Sequence, residues 1–133
     1  MLFVYWFEDD TQYAERVRKV FTSIRHRRDT LCTSVFTLGE VLTGFFKKNA
    51  SEQVSRIRDF FRPPHLEILP FTIETAELYA KIRAQNRIPP PDAIHLAIAA
   101  HSGVDLFLTN DRRLQKLVIP GIDFIAGMDV NLF

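Results

Sequence analysis

The chain has 133 residues, which suits a single domain with its own hydrophobic core. Apolar residues make up 47% of the chain and charged residues 25%, which is the composition of an ordinary globular protein. The net charge of +1 excludes a protein that attracts polyanions over its whole surface, so any nucleic-acid binding must depend on a local patch.

The first half of the chain alternates amphipathic and apolar segments. Residues 11–27 carry apolar side chains at helical spacing and predict a helix. The β-branched, apolar run 30–36 predicts a buried strand, and a helix is expected over 37–48. A polar helix is expected over 51–61, where a proline pair ends it, and a strand over 66–71.

The second half continues this alternation. A helix is predicted over 72–86, and another over 91–101, between a run of three prolines and Gly103. Strands are predicted over 104–109 and 122–127. The inner face of the first of these helices is expected to consist of Ile73, Ala76, Ala80 and Ile82.

Strands that alternate with helices indicate right-handed crossovers and a mainly parallel sheet. We therefore expect an α/β fold, a three-layer α/β/α sandwich that residues 1–133 form as one domain. Sheets of this kind bind their ligands at the carboxyl ends of the strands, so acidic or polar residues at that edge are candidates for a functional site.

Three acidic residues are expected at that edge. Asp92 lies in the first turn of helix 91–101, which descends about 15 Å. Strand 104–109 climbs back roughly 17–20 Å, so Asp111, just past its end, returns to the height of Asp92. Glu40 is predicted in the first turn of the helix after the first strand, at the same edge.

Each of these carboxylates also has an ordinary structural explanation. Thr37 and Glu40 have the spacing of a capping box. A negative charge at Asp92 suits a helix start, and Asp111 suits the cap of a turn. Three clustered carboxylates nevertheless repel one another unless a cation neutralises them, and their oxygens suit Mg²⁺ or Mn²⁺. The pattern therefore favours a metal site.

Three segments carry a resemblance to a known family: TSVFTLGEVLTG (33–44), PPDAIHLAIAAHSGVDLFLTNDRRL (90–114) and IPGIDFI (119–125). In order and spacing they resemble the PIN domain, specifically the toxin ribonucleases of the VapC type. The resemblance covers most of the chain, from Tyr5 to about Ile125. It implies a parallel sheet between helices and RNA cleavage that depends on Mg²⁺ or Mn²⁺.

The resemblance also implies roles for residues and partners. It assigns the metal-binding, catalytic carboxylates to Glu40, Asp92 and Asp111. It further implies an RNA substrate, a cognate antitoxin protein and a homodimer. Four more residues are expected to bind substrate: the polar pair before the last aspartate and the two arginines after it, namely Thr109, Asn110, Arg112 and Arg113.

The N-terminus departs from the family pattern. Family members begin with a strand that ends in an aspartate, and in the alignment Met1 falls just after that residue. Either the natural chain starts further upstream, or residues 2–7 form the first strand and Glu8, Asp9 or Asp10 supplies the acid, or the site is degenerate. The apolar pattern of 2–7 alone predicts a strand, whereas the alignment favours a helix and the upstream start. A missing central strand would leave a gap in the sheet.

Other functions compete with the nuclease. A catalytically impaired PIN-like module that binds RNA or protein fits the missing first aspartate. A receiver-type phospho-acceptor lacks a lysine after a late strand, and a Rossmann dinucleotide-binding domain lacks G-x-G-x-x-G.

The single cysteine and the N-terminus bear on location. Cys32 has no partner for an internal disulfide, which is typical of a reducing compartment, and its apolar surroundings in sequence favour a core residue over a nucleophile. The N-terminal stretch lacks the basic flank and cleavage site of a signal peptide, and no apolar run is long enough to span a bilayer. We therefore expect a cytoplasmic protein without a membrane partner.

Overall fold

A computed structural model describes residues 14–63 and 66–127 of the chain. Helices and short strands alternate through these ranges, as the sequence predicts. The helices are α1 (Ala14–Arg27), α2 (Val35–Lys47), α3 (Ser51–Phe60), α4 (Ile73–Gln85), α5 (Pro90–Ser102) and α6 (Arg112–Gln115). The strands are β1 (Cys32–Ser34), β2 (Glu67–Leu69), β3 (Leu106–Leu108) and β4 (Phe124–Ala126).

The four described strands form two parallel ladders. β1 pairs with β2, with Thr33 opposite Ile68, and β3 pairs with β4, with Phe107 opposite Ile125. The parallel α/β architecture is therefore confirmed. Within residues 14–63 and 66–127, no strand joins the two ladders into one sheet. Residues 2–7, predicted as a helix or a strand, lie outside the described residues, as do the acidic residues 8–10.

The core consists of two clusters on either side of this arrangement. One surrounds α5, whose Ala93, Leu96 and Ala97 are completely buried. The other packs α2 against α3 through Val41 and Ile57. α5 contacts β1 and β2 on one side, while partly buried side chains of β3 and β4 pack against its cluster. The small residues after Asp92 therefore allow one helix to contact both ladders at short range.

Each described strand has three residues and is shorter than the strands predicted over 30–36, 66–71, 104–109 and 122–127, and α2 begins earlier than predicted. Strand 30–36 and an N-cap at Thr37 were expected, but β1 ends at Ser34, which is itself the N-cap. The Ser34 hydroxyl accepts a hydrogen bond from the Thr37 backbone N–H, at 3.1 Å. The prediction failed because both residues are good caps, and the β-branched and aromatic residues between them are typical of strands. Glu40 consequently lies beyond the first turn of α2, so its capping-box explanation is wrong.

The inner face of α4 also differs from the prediction. Ile73 is 86% exposed, and both Ala76 and Ala80 are exposed, whereas Ile82 is buried as expected. The helix instead packs on α5 with a completely buried Thr75, followed by the partly buried Leu78 and Tyr79 and by Ile82. A threonine is tolerated there because its hydroxyl bonds to Thr72, the N-cap of α4, in a capping box.

Two glycines lie at the C-terminal end of α5. Gly103 ends the helix, as predicted, in the left-handed conformation with φ of 66°. Gly121, with φ of 100°, lies so close to this end that a Cβ atom would be 2.6 Å from the Ala100 carbonyl oxygen. The loop before β4 therefore packs directly on the helix C-terminus.

The structure bears on the role of Cys32 and on the question of membrane-spanning helices. Cys32 is only half-buried, and burial, followed by the negative charge of Glu67, raises the pKa of its thiol, which disfavours a nucleophilic role. None of the helices in the described ranges combines the length and apolar character needed to cross a bilayer.

Candidate metal centre

Asp92 lies at the centre of the candidate site. Pro90 and Pro91 occupy the first positions of α5, where their missing N–H groups cost nothing, and Asp92 follows in the first turn. Burial raises the pKa of the Asp92 carboxyl. The negative charge of Asp111 raises that pKa further, and Glu40 adds a smaller rise, while Arg113 and His95 oppose it. Glu40 and Asp111 therefore both lie within electrostatic range of Asp92.

Asp111 is held by Arg113, the second residue of α6. Arg113 donates from Nε to Oδ1 of Asp111 at 3.1 Å and from a terminal nitrogen to Oδ2 at 2.7 Å. The backbone N–H of Arg113 also bonds to Oδ1, so Asp111 is the N-cap of α6. The Arg113 hydrogen bond is the main reason that the pKa of Asp111 is lowered. Asp111 is therefore both the cap that the sequence predicts and a carboxylate that is ionised at neutral pH.

Glu40 is held by a side chain from α5. His95 Nε2 lies 2.7 Å from Glu40 Oε1, and both side chains are mostly buried, with 18% and 30% exposed. The other ring nitrogen of His95, Nδ1, lies 2.8 Å from the Ser34 hydroxyl. The Phe36 ring packs against the imidazole, with centroids 5.4 Å apart. Glu40 is thus connected to both the start of α2 and the middle of α5.

The predicted substrate-binding residues differ in their surroundings. The Thr109 hydroxyl accepts a hydrogen bond from the Asp111 backbone N–H at 3.1 Å, so it shapes the turn that presents Asp111. Asn110 has a buried side-chain nitrogen with no hydrogen-bond partner among the described residues. Arg112 and Arg113 are both exposed, and Arg113 is paired with Asp111. The buried amide nitrogen of Asn110 is therefore a hydrogen-bond donor that no described residue uses.

The donor set suits a hard divalent cation, but the side chains are not arranged as a finished site. Carboxylate oxygens are the ligands of Mg²⁺ and Mn²⁺, and a cation would relieve the repulsion that raises the pKa of Asp92. In the described part of the chain, however, no three His, Cys, Asp or Glu side chains form a group ready to hold a metal ion. Two of the three carboxylates are paired with basic side chains instead: Arg113 bonds to both oxygens of Asp111, and His95 bonds to one oxygen of Glu40.

Sequence reasoning missed the partners of these carboxylates. His95 follows Asp92 by three residues, which places both on one helix face, but nothing local connects it with Glu40, 55 residues away. The Arg113 pairing has a local signal, because an arginine two residues after a capping aspartate is within reach. A pattern of this kind could have identified Arg113, but not the Ser34–His95–Glu40 contact.

Comparisons with known proteins show the family and the fold of the chain. Residues 2–119 match the PIN domain family. Among solved structures, the chain is similar to one from the crystal structure of VapBC2 from Rickettsia felis bound to a DNA fragment from their promoter. The two chains are 19% identical, the TM-score is 0.74, and the alignment covers 95% of this chain and 92% of the other. At this identity the likeness shows a shared fold. No curated protein matches the sequence.

Proposed function

Because this chain belongs to the PIN domain family, we propose that it is a metal-dependent endoribonuclease of the VapC toxin type. Nuclease activity that depends on Mg²⁺ is typical of the family. The observation that supports the proposal most strongly is that α2, α5 and the start of α6 bring Glu40 and Asp111 within electrostatic range of Asp92, whose pKa is raised first by burial and then by their negative charges. Like charges gathered at one edge of a fold are unfavourable without a cation, so their convergence indicates a binding role.

Three carboxylates would hold Mg²⁺ or Mn²⁺: Asp92 and Asp111 from the two sides of β3, and Glu40 from α2. When bound, the cation would supply neutralisation of negative charge on the scissile phosphate. Arg113 would leave Asp111 as the cation binds and would then be available to an RNA phosphate beside Arg112. Thr109 keeps the turn in place, and the unpaired Asn110 amide is suited to donate to the substrate.

The proposed partners follow from the same comparison. The similar Rickettsia felis structure is that of VapBC2 with promoter DNA, and on this basis we assign the chain a cognate antitoxin protein as partner. A homodimer and a cytoplasmic location are part of the same proposal, since the family resemblance implies the first and the single cysteine fits the second.

The test is cleavage of structured RNA by the purified protein with Mg²⁺ or Mn²⁺, with and without EDTA. Asp92→Asn keeps the size of the side chain but removes its charge, so cleavage should fall by more than the roughly 10–100-fold typical of groups that only support metal ligands. Asp123→Asn, at an exposed position before β4, is the matched control and should cut like wild type. Equal cleavage by the Asp92→Asn and wild-type proteins would contradict the proposal.

A second candidate is a catalytically impaired PIN module that binds RNA or protein. The observation that favours it is the absence, among the described residues, of a three-ligand group ready for a metal ion. Isothermal titration separates the two functions. Retained RNA binding without any Mg²⁺ or Mn²⁺ binding would support the impaired module, whereas metal binding that Asp92→Asn abolishes would support the nuclease.

A further inference from the structure

The side chains of Ser34, His95 and Glu40 form a continuous hydrogen-bonded chain between α2 and α5. The Ser34 hydroxyl is 2.8 Å from His95 Nδ1, and His95 Nε2 is 2.7 Å from Glu40 Oε1. Ser34 is only 5% exposed. Each contact joins residues separated by at least 55 positions in the sequence, so neither is imposed by local geometry.

The Glu40 carboxylate fixes the direction of one hydrogen bond in this chain. The carboxylate can only accept, so His95 Nε2 is the donor in that contact. At the other ring nitrogen, His95 Nδ1 bonds to Ser34 Oγ, which also accepts the backbone N–H of Thr37, and the Thr37 hydroxyl is a second, longer contact of Nδ1 at 3.4 Å. The N-cap of α2 thereby fixes the plane of the imidazole, and the imidazole fixes one oxygen of Glu40.

This arrangement has a consequence for the second oxygen of the carboxylate. A glutamate has three rotatable bonds, and ordering it for a ligand costs conformational entropy. Because Oε1 is already bonded to His95, the structure directs Glu40 before any ligand arrives and keeps Oε2 available. The Phe36 ring also packs against the imidazole, with centroids 5.4 Å apart, and restricts rotation of the His95 side chain.

We propose that His95 is a positioning residue that orients Glu40 for a divalent cation, and that Ser34 in turn orients His95. The inference rests on the proposed metal-dependent function and adds to it a supporting residue on α5. It differs from an ordinary structural role, in which any side chain that fills the same space would serve equally well. Groups that orient metal ligands in this way commonly change metal affinity by about 10–100-fold.

Two amide substitutions separate orientation from space filling. In His95→Gln, the amide nitrogen can take the place of Nε2 and donate to Glu40, whereas in His95→Asn the shorter amide can reach only toward Ser34. Mn²⁺ affinity is measured by isothermal titration, and circular dichroism melts report on the fold. We expect the dissociation constant of His95→Asn to rise by about 10–100-fold and that of His95→Gln to stay close to the wild-type value.

Equal Mn²⁺ affinities of the two amide variants would overturn the inference. Should either variant fail to fold, Ser34→Ala replaces it, because this change removes the anchor of the imidazole. A several-fold weaker Mn²⁺ affinity is then expected, and an unchanged one would overturn the inference. Wild-type protein and Asp92→Asn are titrated in parallel. Mn²⁺ binding that is absent in wild type or unaffected by Asp92→Asn would overturn the proposed function as well, and with it the role of His95.

Discussion

At the scale of single residues, the charge of Asp92 lies in unfavourable surroundings. Asp92 is partly withdrawn from water and lies near two other carboxylates, and both effects raise its pKa. Asp111 has the opposite character, because its bonds to Arg113 lower its pKa and keep it ionised. The ionised form is therefore disfavoured at Asp92 and favoured at Asp111.

Asp92→Asn should therefore stabilise the metal-free protein. A raised pKa in the folded state gives stability that is fully present below the unfolded value of about 3.9 and is lost as the pH rises through the folded value. The variant should have a larger free energy of unfolding than wild type at pH 7, and the difference should disappear near pH 3.5. Urea denaturation in EDTA at both pH values measures this, with Asp123→Asn as the control. A variant that is less stable than wild type at pH 7 would contradict the assignment of strain to Asp92.

Arg113→Gln should tighten Mn²⁺ binding. The guanidinium occupies both oxygens of Asp111 and places a positive charge where the cation must arrive. Since the Arg113 side chain is 71% exposed, the pair is a surface ion pair that water screens, so the expected gain in Mn²⁺ affinity is small.

Arg112→Gln is the control for this prediction, because it removes the same charge from the neighbouring position of α6. Isothermal titration of both variants compares them directly. Weaker Mn²⁺ binding by Arg113→Gln than by Arg112→Gln would show that Arg113 assists the cation rather than competing with it.

At the scale of elements, the start of α2 connects the fold to the site. Ser34 is the last residue of β1, and its hydroxyl both caps α2 and bonds to His95 of α5. An N-cap at this position sets which turn of α2 carries Glu40. The same hydroxyl therefore contributes both to stability and to the placement of a carboxylate.

Ser34→Ala should lower the free energy of unfolding by about 1–2 kcal/mol, since it removes an N-cap and leaves His95 Nδ1 with only its longer contact to the Thr37 hydroxyl. Ser51→Ala is a suitable control, because Ser51 is exposed at the first position of α3 and the cap there is Ala50. Urea denaturation compares the two. A loss for Ser34→Ala that is no larger than that for Ser51→Ala would contradict the role of the hydroxyl.

The elements also show how far sequence reasoning extends. The predicted lengths of helix 91–101 and strand 104–109 placed Asp92 and Asp111 at one height, and although β3 has only three residues, Asp111 lies within electrostatic range of Asp92. The start of α2 was misplaced by three residues, since Ser34 and Thr37 are both good caps and only tertiary contacts decide between them. The buried face of α4 was misjudged because its central residue, Thr75, is polar and is made tolerable by Thr72. Contacts such as His95 with Glu40 depend on helix packing, which no local pattern specifies.

At the scale of the whole molecule, α5 holds the two parallel ladders in relation to one another. Its N-terminus carries Asp92, its middle carries His95, and its C-terminus packs against Gly121 before β4. The carboxylates of the candidate site come from α2, α5 and the start of α6, so they meet only when both core clusters have formed. A metal ion bound there would join the two halves of the described fold, and metal binding should therefore stabilise the protein as a whole.

The most direct test of the shared metal site is anomalous diffraction from crystals soaked in Mn²⁺. We predict a single strong anomalous peak in direct contact with the carboxylates of Asp92 and Asp111 and close to Glu40, which keeps its hydrogen bond to His95, with the Arg113 guanidinium moved away from Asp111. A peak elsewhere, or no peak at Mn²⁺ concentrations that saturate the protein in solution, would contradict the conclusion that these three residues share a cation.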